Sequence, residues 1–224
     1  MQKDSSQPHR RPAGRTRRPR GSLTPERILD AAEAVAAQGF DALTMRAVAA
    51  RLEAVPMALY THFATKEQLV DALLDRVLGR FEPAPPTDDW ITDLRAFAGA
   101  HRRLLVAHAW AVAPLFTQPN PGLGAVRIGE HVLCILRRGG LSNDRAVATF
   151  SGIVAINYGW SSFTTARDVD PEGPSHDVTA TLTRLPRAVF PLTVDVAEAM
   201  GAYGSDEHYD FVLDQFLAGL RARA

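Results

Sequence analysis

A single cysteine, Cys134, stands in 224 residues, so no internal disulfide can hold the fold, and a reducing cytoplasm is the natural compartment. Net charge is missing as well: 25 Lys and Arg balance 25 Asp and Glu. No long hydrophobic run is present. The longest mostly apolar stretch, Leu104 to Phe116, is about 13 residues, is interrupted by His108, and falls short of the roughly 18 that span a bilayer. The N-terminus opens polar and basic with no apolar segment behind it, which does not read as a secretory signal. Strand-like alternation, internal repeats, a Gly-rich phosphate loop, paired-His metal spacing and a nucleophile elbow are all absent. An enzyme, a cofactor and a bound metal are therefore not expected. What is present is 46% hydrophobic residues, enough for one large core or two modest ones.

The charge balance hides an uneven distribution. Lys3, Arg10, Arg11, Arg15, Arg17, Arg18 and Arg20 face Asp4 alone within residues 1–23, a stretch rich in Pro, Gly and Ser that cannot bury a core. The rest of the chain is mildly acidic. A basic arm of this kind suits phosphate; a membrane surface or plain solubility would also explain it.

From Thr24 onward the pattern is helical, and the class is all-α with about nine helices. Thr24 and Pro25 open the first, whose Ile28, Ala31, Ala32, Val35 and Ala36 share a face until Gly39. Thr44 caps a second, Met45 to Arg51, and Pro56 opens a third of barely two turns, too short to stand alone. A fourth runs from Lys66 to Phe81, where Pro83, Pro85 and Pro86 mark a domain boundary. Beyond it the spacing predicts helices over 87–109, 124–138, 142–166, 186–200 and 206–221, with breaks at Pro114 and at 119–122 and a loop over 168–180. Three divisions follow: a disordered basic arm (1–23), a three-helix unit closed by the fourth helix (24–81), and a second helical domain (82–224).

Two short helices joined by about four residues, with another before them, form the arrangement in which a short helix can enter the major groove of DNA. The run from Ile28 to Leu74 resembles the DNA-binding domain of the tetracycline-repressor (TetR) family of bacterial transcriptional regulators. The motifs are Gly39-Phe40 ending helix one, Leu43-Thr44 before helix two, and Leu59-Tyr60-x-His62-Phe63-x-x-Lys66-Glu67 joining helices three and four. Leu185 to Gly219 also looks like the family's divergent effector domains, more loosely.

The resemblance implies phosphate contacts for Thr44, Tyr60, His62 and Lys66, all groups able to donate to an anion. The plain alternatives are an N-cap for Thr44, core packing for Tyr60 and His62, and a solvated Lys66. The base-facing slots are Arg46, Pro56, Met57, Ala58 and Thr61, one hydroxyl among otherwise apolar groups on helix three. Apolar side chains read thymine methyls and little else, whereas Arg46 suits guanine O6 and N7, or equally a phosphate or solvent. Glu53 and Val55 depart from the family's usual Gly and capping Ser. Arg15, Arg17, Arg18 and Arg20 are then expected to enter or flank the minor groove beside each half-site.

A two-fold operator on double-stranded DNA calls for a homodimer. The wide apolar arc of the last helix, with Val212, Phe216 and Leu220, and the helix carrying Gly152, Ile156, Gly159 and Phe163 are the expected dimer surface. In the family these two helices form a four-helix interface. His101, His108, Trp110, Phe116, His131, Asn157 and Trp160, polar or aromatic groups on apolar helices, are the candidates for a small-molecule effector pocket, though each alone is more often a satisfied core residue. His101 and His108 lie about 10 Å apart along one helix, too far for one metal ion. The resulting reading is a cytoplasmic, ligand-responsive repressor that leaves its operator when a small molecule binds. The competing reading is a helical ligand-binding or protein-interaction bundle without specific DNA binding.

Overall fold

The computed structural model describes residues 23–117, 122–169 and 178–221, and among these the chain forms twelve α-helices and one 3-10 turn, with no strand. Arg15, Arg17, Arg18 and Arg20 lie outside the described residues.

Helix α1 (Pro25–Ala36) starts where Thr24 accepts a hydrogen bond from the Arg27 N–H and where Pro25 occupies a position needing no donor. Three residues past its last residue the chain turns at Gly39, whose φ of 125° is open to glycine and strained for other residues. A 3-10 turn (Phe40–Ala42) leads to Thr44, which caps α2 (Met45–Arg51) by accepting from Ala47 N–H at 3.0 Å. Glu53 makes the tight turn with φ 50°, the strain expected where a Gly is usual. Helix α3 (Pro56–Tyr60) has no side-chain cap and is held by Leu59 and Phe63, both buried. Thr65 caps α4 (Lys66–Leu78), whose Leu69, Leu73, Leu74 and Val77 close the core of the first unit.

The second part contains α5 (Trp90–Ala107), α6 (Ala109–Thr117), α7 (Leu123–Arg138), α8 (Asn143–Val169), α9 (Val178–Thr183), α10 (Pro191–Asp195), α11 (Ala197–Met200) and α12 (Asp206–Arg221). The class agrees with the sequence, but the described residues hold twelve α-helices where about nine are expected. The helix expected over 87–109 starts later, at Trp90 under an Asp89 cap, and stops at His108, whose φ −129° and ψ 54° turn the chain into α6. Pro114 does not break that helix; it lies inside α6. Of the loop expected over 168–180, residues 168–169 belong to α8 and 178–180 to α9, and residues 170–177 lie outside the described residues. The helix expected over 186–200 is two short ones, because Pro191 cannot donate a backbone bond and Val196 leaves helical geometry.

One apolar cluster runs unbroken from Ile28 in α1 to Leu217 in α12. Helix α4 packs on both α1 and α7, and so belongs to the cores of both parts. At the α4–α7 crossing the backbones nearly touch: a Cβ on Gly124 would lie 2.6 Å from the Asp75 carbonyl oxygen, and the Gly124 N–H donates to Asp75 Oδ1.

Candidate DNA interface and effector core

Helix α3 is anchored through Leu59, so its remaining side chains point outward. Met57 is 73% exposed, Tyr60 43% and the preceding Val55 66%. Pro56, Thr61 and His62 are exposed, Ala58 is half-buried, and Arg46 on α2 is exposed beside them. Tyr60 and His62 therefore do not pack in the core. Thr44 is exposed and serves as an N-cap, its hydroxyl proton remaining free to donate. Lys66 is half-buried, its ammonium 5.7 Å from the centre of the Phe40 ring. The Thr61 hydroxyl donates back to the Ala58 carbonyl at 2.7 Å, so the one hydroxyl among the base-facing slots has spent its proton within its own helix.

The seven candidate effector residues do not meet in one place. His101 and Asn157 belong to a buried network between α5, α8 and α12. Asn157 Nδ2 donates to the Ala98 carbonyl at 2.9 Å and lies 3.0 Å from His101 Nδ1, and its Oδ1 accepts from the Tyr209 hydroxyl at 2.8 Å. Burial pushes the His101 imidazolium down to about 4, and burial pushes the Tyr209 phenol up to about 12. Both are thus neutral at pH 7. Because the folded His101 binds its proton more weakly than the unfolded one, stability is complete above pH 6.5 and is lost between pH 6.5 and about 4. That loss is roughly 3 kcal/mol for a shift of this size. Denaturation midpoints across this range should fall for the native protein, and less steeply for His101→Phe; parallel curves would refute the assignment.

His108 sits apart, at the junction of the two parts. Its Nδ1 meets the Leu104 carbonyl at 2.9 Å, its Nε2 meets Arg80 Nη1 at 2.7 Å, and Arg80 in turn clasps Glu33 of α1 with both Nη atoms. Arg80, hydrogen-bonded to Glu33, holds that carboxyl below its usual range. Trp160 donates to the Ser205 carbonyl at 3.2 Å and stacks edge-on against Phe163 and Tyr209, while Trp110 is half-buried against the core.

Among the described residues, several clefts between helices have room for a ligand, and two of them share a wall. One of about 530 Å³ lies under the Pro83–Pro86 segment between α5 and α7, lined by Phe97, His131, Cys134 and Ile135 and ended by the Asp93–Arg138 ion pair. Another of about 490 Å³ lies between α4, α6, α7 and α8, lined by Leu78, Phe116, Phe150 and Tyr158. The rings of Phe97 and Phe150, 6.4 Å apart, connect their walls. Sequence reasoning finds His131 and Phe116 but misses Phe97 and the proline segment, which reads in sequence only as a boundary. Arg80, Glu33 and Tyr209 are missed too, since nothing in their local pattern sets them apart.

Of the expected dimer residues, Gly152 serves a contact within the chain: a Cβ there would lie 3.1 Å from the Phe216 ring. Phe163 packs on Trp160 and Tyr203. Ile156, Val212, Phe216 and Leu220 are half-buried, and Gly159 is exposed, with no atom within 4 Å of where a Cβ would stand. Ala148, Ser151, Ala155, Gly159 and Ser162 form an exposed stripe of small side chains along α8, beside exposed Phe211 and Ala218 on α12.

Residues 28–73 match the family model for bacterial regulatory proteins of the tetR family, and residues 82–224 match the tetracyclin repressor-like C-terminal domain. An HTH-type transcriptional regulator of Saccharopolyspora erythraea is 36% identical over 138 residues, 61% of this chain and 58% of that protein. The HTH-type transcriptional repressor DrrR1 of Streptomyces coeruleorubidus is 36% identical over 151 residues, 66% of this chain and 54% of its own length. The chain thus spans little more than half of these two relatives. Among solved structures, the TetR family protein ActR of Streptomyces coelicolor in complex with actinorhodin superposes with a TM-score of 0.82 at 26% identity, covering 91% of this chain and 99% of that one. No described helix is long and apolar enough to cross a membrane. With both parts matched in their expected order, the chain belongs to the TetR family of bacterial regulatory proteins.

Proposed function

We propose that the chain is a cytoplasmic, homodimeric transcriptional repressor that leaves a two-fold operator when a small molecule binds its second domain. Residues 24–81 supply the DNA contacts, residues 82–224 supply the effector site and the dimer surface, and the arm at 1–23 adds phosphate affinity. The reading rests chiefly on α3: a helix of five residues, unable to persist alone, is fixed by Leu59 and Phe63 so that Met57, Tyr60, Thr61 and His62 stand clear of the surface. Thr44 and Lys66 flank it as phosphate contacts, and Arg46 faces a base. The small-residue stripe of α8 beside Phe211 admits the close approach of the same helices from a second copy. No catalysis is assigned to the chain.

The effector is placed in the cleft under Pro83–Pro86, where an apolar wall and one half-buried imidazole, His131, suit a largely apolar molecule with a few polar groups. ActR, which binds actinorhodin, shares this architecture. Occupation favours a state in which α4 and the proline segment are displaced, so the two α3 helices lose their spacing.

The test is fluorescence anisotropy with labelled duplex from upstream of the chain's own gene, alongside light scattering for mass. The expected result is a dimer that binds at modest salt, with a steep fall in affinity as salt rises. A strictly monomeric protein, or one indifferent to every duplex, would leave the bundle without DNA binding as the better reading.

A further inference from the structure

The outward face of α3 is short of hydrogen-bond donors to a degree that limits how it can read DNA. Between Val55 and Ala58 no side chain carries a polar hydrogen, and the Thr61 proton is given to the Ala58 carbonyl at 2.7 Å, leaving that oxygen able only to accept. Two large apolar side chains at this face are largely solvent-exposed, Val55 at 66% and Met57 at 73%. An isolated apolar side chain at the surface is ordinary; a pair at the N-terminal end of a fixed helix, with the cations Arg46 and Lys66 on neighbouring helices, has the chemistry of a dry contact framed by phosphate-attracting charge. In the major groove the one apolar group on a base edge is the C5-methyl of thymine.

We infer, resting on the DNA-binding role proposed above, that the operator half-site is recognised mainly through thymine methyl groups seated against Met57 and Val55, with Arg46 the one side chain of α2 and α3 that donates to a base at its centre. Met57 is unbranched and largely exposed, so its thioether can follow the methyl without strain. This kind of recognition follows burial of apolar area instead of hydrogen-bond geometry, and so tolerates small shifts of the helix along the groove while requiring the methyl itself.

The experiment uses the full chain. A preferred duplex is first selected from random-sequence DNA, and each thymine of the half-site is then replaced by deoxyuridine, which keeps every hydrogen-bonding group and lacks only the methyl. Loss of one methyl contact in each half-site is expected to weaken binding about tenfold, from about a threefold to fourfold effect per buried methyl. With Met57→Ala the same replacement should cost less than about twofold, because the partner of the methyl is gone. Deoxyuridine at all half-site thymines with unchanged affinity would overturn the inference while leaving the DNA-binding role intact, as would a uracil penalty that persists undiminished in both Met57→Ala and Val55→Ala. Failure to bind any duplex would overturn both.

Discussion

Replacing Asn157 by Leu is expected to lower the free energy of unfolding by about 3 to 5 kcal/mol, although the two side chains share the same branched heavy-atom skeleton and no cavity is made. Asn157 is fully buried and satisfies groups on two other helices: the Ala98 carbonyl and His101 Nδ1 on α5, and the Tyr209 hydroxyl on α12. Leucine offers none of them a partner. A buried polar group left without one costs about 1 to 3 kcal/mol, and here the Tyr209 hydroxyl and a nitrogen of a neutral, buried imidazole are stranded together. Tyr209→Phe removes only one of these bonds and should cost about 1 to 2 kcal/mol. Urea unfolding followed by helical circular dichroism measures both, at one fixed protein concentration because dimerisation would add its own stability. A cost below about 1 kcal/mol for the Leu variant would mean that the network is not intact in solution.

Residues 24–80 are largely legible because their signals are local. Thr24, Pro25, Gly39, Thr44 and Thr65 each fix a helix end through a bond or a dihedral within four residues of itself, and the structure places the caps and the Gly39 turn where these residues stand. The positive φ of Glu53 is likewise written into the turn. Legibility fails where the deciding contact is distant. The period from Trp90 to His108 continues without a break, yet the helix ends at His108, whose imidazole meets Arg80, 28 positions earlier in the chain. Pro114 looks like a stop, but within the first two turns of α6 it removes a single bond. The effector candidates stand out by polarity on apolar helices, a criterion that cannot separate His101, satisfied by Asn157, from His131, which lines a cleft. The dimer residues show the same limit, since Gly152 admits Phe216 of its own chain.

Replacing Glu33 by Gln is expected to separate the two halves of the molecule functionally. Glu33 of α1 accepts both Nη groups of Arg80 just beyond α4; Arg80 also reaches His108, where α5 bends into α6 and the imidazole is tied to the Leu104 carbonyl. This chain of contacts joins the first helix of the N-terminal unit to the second part through side chains that hold one another in place. Gln keeps the shape but removes the charge, leaving Arg80 and nearby Arg76, whose Nη1 is buried without a partner, facing each other with less compensation. For an ion pair buried on both sides such a change costs about 3 to 5 kcal/mol; Arg80 is 38% exposed and solvent screens it, so about 1 to 2 kcal/mol is expected here. The pH dependence has a definite sign. Glu33 is held below 4.5 in the folded state, so its contribution is present at neutral pH and fades as pH falls through that lowered value, and the stability gap between the native protein and Glu33→Gln should close in acid. The functional effect is comparable in free energy: if effector occupancy reaches α3 through this junction, the ratio of DNA affinities without and with effector should shrink at least about fivefold, the lower end of ordinary coupling energies. Affinity for DNA in the absence of effector should change much less. A variant that loses stability as expected but keeps the full affinity ratio would show that coupling runs instead through the α4–α7 contact at Asp75 and Gly124.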